Sequence, residues 1–169
     1  IHALIIYTPS VYFLGGMNPI KFFQKMTPAM MFAFSSASSV ATIPYNVEST
    51  KKMGVREEIS NFILPLGATI NMDGTAIYLG VTSVFIATCC GMDLSIHQYI
   101  AIALSSTIAS IGVPGVPGGA LALMAMVFAS AGIPIEGVAV AAGVDRLVDM
   151  GRTTMSITGD ASCAVVMQR

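Results

Sequence analysis

The stretch TINMDGTAIY, residues 69–78, places an amide, a carboxylate and a glycine inside a long apolar segment. Without Asn71, Asp73 and Gly74, residues 56–90 would form one continuous hydrophobic helix. Irregular backbone at membrane depth is tolerated only where it is buried in protein or lines a polar cavity. The stretch therefore predicts an interrupted helix whose break lines a polar site.

Charged residues are too few to cover the surface of a soluble protein of this size. They make up 10% of the 169 residues, against about 25% in an average soluble domain, while 54% are hydrophobic. The 16 glycines and 8 prolines fit membrane helices, where neighbouring segments satisfy broken backbone bonds. The composition predicts an all-α integral membrane protein. A net charge of −1 without a basic patch gives no indication of nucleic-acid binding.

The first residues, IHALIIY, are apolar and are not preceded by the basic residue of a signal peptide. We expect them to belong to the end of a hydrophobic helix, and the chain to be a fragment of a longer protein. His2 and His97 are interpreted as bystanders. The three cysteines, which have no metal-binding spacing, are interpreted as small apolar packing residues.

Two further segments have the form of hairpins. Residues 27–52 contain a short apolar limb, a serine-rich break and a second limb, and the preceding MNPIKFFQKM is interpreted as a basic link. Residues 94–131 repeat this form, with an apolar limb, the tip GVPGVPGG and another limb. Because each limb is shorter than the roughly 20 residues that span a bilayer, both segments are predicted to be re-entrant hairpins. Residues 135–168 are predicted to form the last span.

Basic residues accompany only the first hairpin, which is flanked by Lys21, Lys25, Lys51, Lys52 and Arg56. The loops CCGMDLSIH and AGIPIEG, beside the second hairpin, carry no Lys or Arg. The positive-inside rule then places the base of the first hairpin in the cytoplasm and that of the second outside. Two hairpins of opposite orientation, each followed by a spanning helix, form an inverted repeat. This pattern indicates a transporter with a midplane site.

The last segment carries its charges on one face. Asp145, Asp149, Arg152, Ser156 and Asp160 follow one another at intervals of three or four residues, which makes a single helical stripe. Each intramembrane charge costs at least about 2.5–3.5 kcal/mol at the bilayer centre, so the stripe needs polar partners. The partners of the stripe would be other protein groups, ions or a substrate. One alternative is an internal ion-pair ladder, such as Asp149 with Arg152, which would leave Asp73 and Asp160 without cations.

The chemistry of these residues favours a particular cargo. Arg152 offers a planar fork suited to a carboxylate, and Asp149 could hold an ammonium group, as a substrate such as aspartate or glutamate would require. The tip SSASSVATIP presents free N–H groups and hydroxyls at a helix start, which favours anions. The glycines of GVPGVPGG permit close backbone approach and a mobile tip, with an ordinary loop as the alternative. Freed carbonyls, the Asn71 amide and the Asp73 carboxylate are hard oxygen ligands for Na⁺ or H⁺.

Together these motifs resemble the dicarboxylate/amino acid:cation symporters, the glutamate transporter family. The tip SSASSVATIP, the NMDGT core, the tip ASIGVPGVPGG and the span DRLVDMGRTTMSITGD stand in the family's order and spacing. The resemblance implies the C-terminal part of a transport domain. Its parts would be the end of a transmembrane helix (1–20), the first hairpin (21–55), a broken transmembrane helix (56–92), the second hairpin (93–133) and the last transmembrane helix (134–169). It also implies a homotrimer, held by an N-terminal scaffold outside this chain, that moves like an elevator in the plasma membrane, such as a bacterial inner membrane.

The resemblance further implies a substrate site and several sodium sites. The substrate residues would be Ser38, Ser39, Met72, Thr75, Gly115, Val116, Pro117, Gly118, Asp149, Arg152, Thr153 and Ser156. In this set the tips hold the main-chain carboxylate, Asp149 the amino group, and Arg152 with Thr75 the side-chain carboxylate. The sodium ligands would be Gly67, Asn71, Ser156 and Asp160 in a first site and the backbone of Thr69, Ser110, Ile111 and Val113 in a second. Asn71 and Asp73 would form a third site together with residues outside this chain.

Three positions depart from the family's pattern. Archaeal members carry an arginine in the first tip where this chain has Ala37, and other branches supply it from the last helix, where none is evident. Potassium coupling is therefore not implied. Ser156 stands where the family usually has the longer asparagine, so we expect an altered first sodium site. Val113 replaces a threonine, but only its carbonyl would be used.

A sodium- or proton-coupled carrier of neutral amino acids or C4-dicarboxylates is the main alternative. Arg152 argues against neutral substrates, which would leave it unpaired, and Asp149 argues against plain dicarboxylates, which bring no ammonium. An intramembrane protease needs a G-x-S-x-G elbow or a suitable aspartate pair, and neither is evident. A purely structural membrane protein would not need four ionisable groups on one helix. The sequence predicts a transporter rather than an enzyme.

Overall fold

The computed structural model describes residues 1–169, which form helices and short connections without a strand. An N-terminal helical segment contains two π-helical stretches, Ala3–Tyr7 and Ser10–Leu14. Seven α-helices follow: α1 (Pro19–Ser36), α2 (Ser39–Lys52), α3 (Glu57–Ile70), α4 (Asp73–Cys89), α5 (Ile96–Ile111), α6 (Gly119–Ala131) and α7 (Gly137–Met167). The prediction of an all-helical chain is confirmed.

Two pairs of consecutive helices pack against each other as helical hairpins, α1 with α2 and α5 with α6. The first hairpin turns at Ala37, which takes the left-handed conformation with φ 51°, and the Ser38 hydroxyl caps α2 by accepting from the Ala41 N–H. The second turns through residues 112–118 and ends at Gly118, with φ 78°. Glycine adopts this conformation without the steric penalty of a side chain.

Helix α1 begins earlier than expected, and the interpretation of MNPIKFFQKM as a link is wrong. Asn18 is the N-cap, because its Oδ1 accepts from the Ile20 N–H at 2.9 Å, and Pro19 occupies the first helical position. Both are helix-start signals. The helix has 18 residues and is therefore about 27 Å long, which is longer than a limb that begins at residue 27 but still below the roughly 20 residues that span a bilayer.

The interruption predicted near Asn71 separates α3 from α4. Asn71 and Met72 leave the helical conformation, with φ/ψ of −89°/73° and −104°/45°. The pair α3–α4, Glu57–Cys89, is the one helical stretch long and apolar enough to cross a membrane by length and composition.

Helix α7 runs through the centre and joins two separate apolar cores. The first, which we call the α1-side core, is built from the N-terminal segment, α1, α3 and the last third of α7, and includes Val11, Phe22, Met26, Leu64 and Ile157. The second, the α5-side core, is built from α4, α5, α6 and the start of α7, and includes Leu79, Ile86, Met124, Phe128 and Ala141. Between them, α7 carries its polar stripe.

The outer surface is rich in large apolar side chains. Phe13 is 71% exposed, Phe62 68% and Leu147 73%. Soluble monomers rarely expose extensive apolar patches. Such a surface is suited to lipid or to further protein rather than to water.

Candidate functional site

The charged stripe of α7 is buried along its whole length. The exposed fractions are 4% for Asp145 and Asp149, 6% for Arg152, 1% for Ser156 and 2% for Asp160. The predicted arrangement on one face is therefore what the helix shows. Charges buried this deeply must be paired, because an isolated charge in a low-dielectric interior is strongly unfavourable.

Arg152 is paired within its own helix. Its Nε donates to Asp149 Oδ1 at 2.9 Å and its Nη1 donates to Asp145 Oδ1 at 3.1 Å. Its guanidinium carbon also lies 4.6 Å from the centre of the Tyr78 ring, a cation–π distance. The internal ion pair, kept open above as an alternative, is thus formed for Arg152, and it includes Asp145 as a second carboxylate.

Asp149 links α7 to the tip of the second hairpin. Its Oδ2 accepts from the Gly118 N–H at 2.9 Å, while Oδ1 accepts from Arg152 and, at 3.4 Å, from the Thr153 hydroxyl. Both oxygens are therefore occupied by N–H and O–H donors of the protein. An ammonium group on a ligand would have to replace one of these donors.

The tips of the two hairpins touch each other. The Ser38 hydroxyl donates to the Gly115 carbonyl at 2.8 Å, and the Val40 N–H reaches the same oxygen at 3.3 Å. A Cβ on Gly115 would lie 2.9 Å from Val40 Cγ2 and 3.0 Å from the Ala68 carbonyl. Position 115 therefore requires glycine for this close approach.

A very small cavity lies where the tips, the α3–α4 break and α7 meet. Its volume is about 10 Å³, room for roughly one water molecule and not for an amino acid. Nine residues of the predicted substrate set line it, and they are Ser39, Met72, Thr75, Gly115, Val116, Asp149, Arg152, Thr153 and Ser156. Ala37, Val113 and Pro114 complete the lining. Ser38, Pro117 and Gly118 of the predicted set do not line it.

A second polar cluster forms at the break itself. Asn71 Nδ2 donates to Asp160 Oδ1 at 2.8 Å and approaches the Ser156 carbonyl at 3.4 Å. Two glycines leave room for the contact between Asn71 and Asp160. A Cβ at Gly67 would overlap the Asp160 carboxylate, and one at Gly159 would lie 2.7 Å from Asn71 Nδ2.

Asp73, at the start of α4, faces the N-terminal segment. Its Oδ2 accepts from the Tyr7 hydroxyl and lies 2.9 Å from His2 Nε2, and its Oδ1 accepts from the Gly74 N–H at 2.8 Å. Neither Asp73 nor Asp160 has a Lys or Arg partner. Both line a cleft of about 490 Å³, together with Gly67 and Asn71. Two carboxylates, an amide and nearby carbonyls form an oxygen-rich environment suited to a hard cation.

The whole chain matches one protein family. Residues 1–169 match the sodium:dicarboxylate symporter family. The chain belongs to this family. Symporters are transporters, and the relatives in this family are integral membrane proteins.

Curated proteins similar to this symporter chain come from animals and bacteria. Excitatory amino acid transporter 3 of Oryctolagus cuniculus is 44% identical over 163 residues, 95% of this chain and 31% of the relative. The proton/sodium-glutamate symport protein of Bacillus subtilis (strain 168) is 36% identical over 166 residues, 98% of this chain and 39% of the relative. The chain spans about a third of the length of such relatives.

The second predicted sodium group, the backbone of Thr69, Ser110, Ile111 and Val113, stays a prediction. Helices α3 and α5, which end at Ile70 and Ile111, contact each other. Thr69 is exposed and its hydroxyl donates to the Leu66 carbonyl. The Ser110 hydroxyl donates to the Thr107 carbonyl, Ile111 is 54% exposed, and Val113 lines the small cavity. The Ser156 hydroxyl also turns back to the Arg152 carbonyl at 3.2 Å, so only the Ser156 carbonyl reaches Asn71.

Four residues contribute to the site in ways that the sequence did not predict. The interpretation of His2 as a bystander is wrong, since it lies against Asp73, and Tyr7 was not considered. Asp145 was placed on the stripe but not in the site, and Tyr78 was not considered. The spacing of five between His2 and Tyr7, one π-helical turn, was a usable signal. All three cysteines are exposed on this chain and lie outside both apolar cores.

Proposed function

We propose that this chain is the C-terminal part of the transport domain of a sodium-coupled symporter for acidic amino acids. The observation that carries the proposal is the convergence of Arg152 and Asp149 with both hairpin tips on one closed cavity. The names of the relatives, excitatory amino acid transporter and proton/sodium-glutamate symport protein, support the same class of substrate.

The proposed membrane arrangement follows the helical hairpins. The hairpin α1–α2 would enter from the cytoplasm and α5–α6 from outside, with α3–α4 as a broken transmembrane helix and α7 as the last span. The meeting of the two tips near the middle of α7 supports this inverted repeat. The whole protein would be a homotrimer of the plasma membrane, such as a bacterial inner membrane, whose transport domains move past a scaffold built from residues outside this chain.

Substrate entry requires the closed cavity to open. The second tip is attached by the bonds from Ser38 to Gly115 and from Gly118 to Asp149, and release of both would free it. The ammonium group of the substrate would then replace the Gly118 N–H at Asp149 Oδ2. The side-chain carboxylate of the substrate would compete with Asp145 and Asp149 for the Arg152 fork, because guanidinium binds a carboxylate through two parallel hydrogen bonds.

Sodium ions are proposed to bind at the break. Asp73 and Asp160 are carboxylates without Lys or Arg partners, and cations would neutralise them. Fixing Asn71 and Met72 in place would order the floor of the substrate cavity, since Met72 lines it. Sodium and substrate would then favour each other's binding without direct contact, which is the linkage expected of symport.

A carrier of neutral amino acids is a second candidate because of one observation. Arg152 is already neutralised by two carboxylates of its own helix, so a neutral substrate would not leave it unpaired. The need to pair Arg152 therefore does not exclude neutral substrates.

Uptake into vesicles containing the purified full-length protein separates these functions. With an inward sodium gradient we expect saturable uptake of labelled aspartate or glutamate, and little uptake of serine or of succinate. Removing the gradient should abolish accumulation. Uptake of serine in preference to aspartate would assign the neutral function, and accumulation driven by a proton gradient alone would contradict sodium coupling.

A further inference from the structure

A cavity that shares no lining residue with the small cavity or the ion cleft lies at the C-terminal end of α7. It has a volume of about 430 Å³ and is enclosed by the end of the N-terminal segment, the start of α1, the α2–α3 connection and the last residues of α7. Its polar lining consists of Asn18, Lys21, Gln168 and Arg169, and no Asp or Glu side chain lines it. We call it the basic cavity.

The two cations of the basic cavity have no acidic partner. The exposed ion pairs of the chain use other lysines, Lys52 with Glu48 at 2.8 Å and Lys51 with Glu57 at 3.7 Å. Arg169 Nη1 donates to the carbonyls of Phe13 and Leu14 at 3.0 and 3.3 Å, which holds the guanidinium beside Gly16. Arginine has five N–H donors, so the remaining ones are available to an anion.

The surroundings of the basic cavity fit a lipid better than a dissolved ion. Phe13, Leu14 and Ile20 adjoin its lining residues in sequence and are 71%, 59% and 68% exposed. The positive-inside rule places this end of the chain at the cytoplasmic face, where anionic lipids are attracted to basic residues. A phosphate next to exposed apolar side chains is the arrangement that a phospholipid provides.

We infer that the basic cavity binds the headgroup phosphate of an anionic phospholipid of the cytoplasmic leaflet. Lys21 and Arg169 hold the phosphate, and the acyl chains lie along Phe13, Leu14 and Ile20. The inference rests on the predicted membrane orientation and is independent of which substrate the protein carries.

Native mass spectrometry of the purified full-length protein tests this with phosphatidylglycerol and phosphatidylcholine of identical acyl chains. Each basic side chain near an anionic lipid strengthens binding roughly fivefold. We therefore expect Lys21→Gln/Arg169→Gln to lower affinity for phosphatidylglycerol about 30-fold. The matched control, Lys51→Gln/Lys52→Gln, removes the same charge from lysines that are already paired, and should keep wild-type affinity. The single variant Lys21→Gln should bind phosphatidylglycerol roughly fivefold more weakly than the wild type. It provides the test if the double variant does not fold.

Three results would overturn the inference. The first is equal affinity of phosphatidylglycerol for the two double variants, and the second is equal affinity of the wild type for phosphatidylcholine and phosphatidylglycerol. The third is binding of inorganic phosphate, measured alone by calorimetry, as tightly as the lipid, which would assign the cavity to a free anion.

Discussion

Arg152 and Asp149 illustrate how single residues of this chain depend on one another. Each satisfies the other while the cavity is closed, and each is the natural partner of one end of an amino-acid substrate. The same side chains can therefore stabilise both the empty and the occupied site. Asp145 is a second partner of Arg152, which donates to its Oδ1 at 3.1 Å while Asp149 also accepts from the Gly118 N–H.

Replacing the arginine should remove recognition of the substrate's side-chain carboxylate. We expect Arg152→Cys in the full-length protein to abolish uptake of acidic amino acids, because a hydrogen bond to a charged group contributes about 1.5–3 kcal/mol, or roughly 10- to 150-fold in affinity. Arg146→Gln is the matched control, since Arg146 is exposed on the same helix and has no acidic partner. Wild-type aspartate uptake by the Arg152 variant would contradict the assignment.

Asp149→Asn should affect the amino group selectively. The amide keeps an acceptor for Arg152 but loses the charge that faces an ammonium. Aspartate binding, measured by calorimetry, should weaken strongly, whereas a dicarboxylate without an amine should lose much less. Equal losses for the two ligands would show that Asp149 does not hold the amine.

At the scale of the elements, the decisive contact is that between the two hairpin tips. The second tip is attached through backbone groups of Gly115 and Gly118, so its docking depends on how closely its backbone can approach. The other side chains of the second tip take no part in these two hydrogen bonds. A closed cavity of about 10 Å³ shows how completely the tips fill the site when docked.

Adding one methyl group should separate the tips. Gly115→Ala places a Cβ within 3.0 Å of both Val40 and the Ala68 carbonyl, and overpacking of this kind typically costs about 1–3 kcal/mol. We expect aspartate affinity to fall by roughly 5- to 150-fold. Gly112→Ala is the control in the same tip, because its Cβ would have nothing nearer than the Ala109 carbonyl at 3.6 Å. Similar affinities of the two variants would show that tip docking does not limit binding.

Sequence analysis predicted those features that depend on local pattern. The break at Asn71 and the face shared by Asp145 and Asp160 follow from polar residues at readable spacings. The start of α1 was equally local, but Asn18 and Pro19 were interpreted as part of a link rather than as a helix start. These elements could all be assigned from neighbouring residues alone.

The remaining features depend on packing between distant segments. The contact of His2 with Asp73 joins residues 71 positions apart, and Ser38 meets Gly115 across 77. No periodicity within one helix specifies such pairs. The bonds from Arg152 to both Asp145 and Asp149 likewise depend on the side-chain rotamer of Arg152. The sequence spacing permits this rotamer but does not determine it.

At the scale of the whole molecule, the chain presents carboxylates to two different kinds of partner. Asp145 and Asp149 pair with a cation of the protein, whereas Asp73 and Asp160 have no such cation. Asp149 of the first pair lines the small cavity, and both members of the second pair line the open cleft at the break. This division supports substrate on one side and ions on the other.

A sodium titration of aspartate binding tests that division in the purified full-length protein. Affinity should rise steeply with sodium, because several ions bind with each substrate and their effects are reciprocal. Asp73→Asn should flatten the dependence and leave weak binding, since Arg152 and Asp149 are intact. Asp93→Asn, an exposed loop aspartate outside any ion pair, should behave as wild type. Affinity that depends on pH and not on sodium would replace sodium coupling with proton coupling.

The separation of the α1-side core from the α5-side core gives the molecule two well-packed ends and a middle held by polar contacts. A ligand bound between the two cores would therefore add directly to the stability of the folded protein. A ligand at a hundred times its Kd adds about 2.7 kcal/mol to the free energy of unfolding. The melting temperature of the detergent-solubilised full-length protein should therefore rise with its true cargo and with sodium, and stay unchanged with the wrong amino acids. Heating alone, without a vesicle or a gradient, can sort candidate substrates.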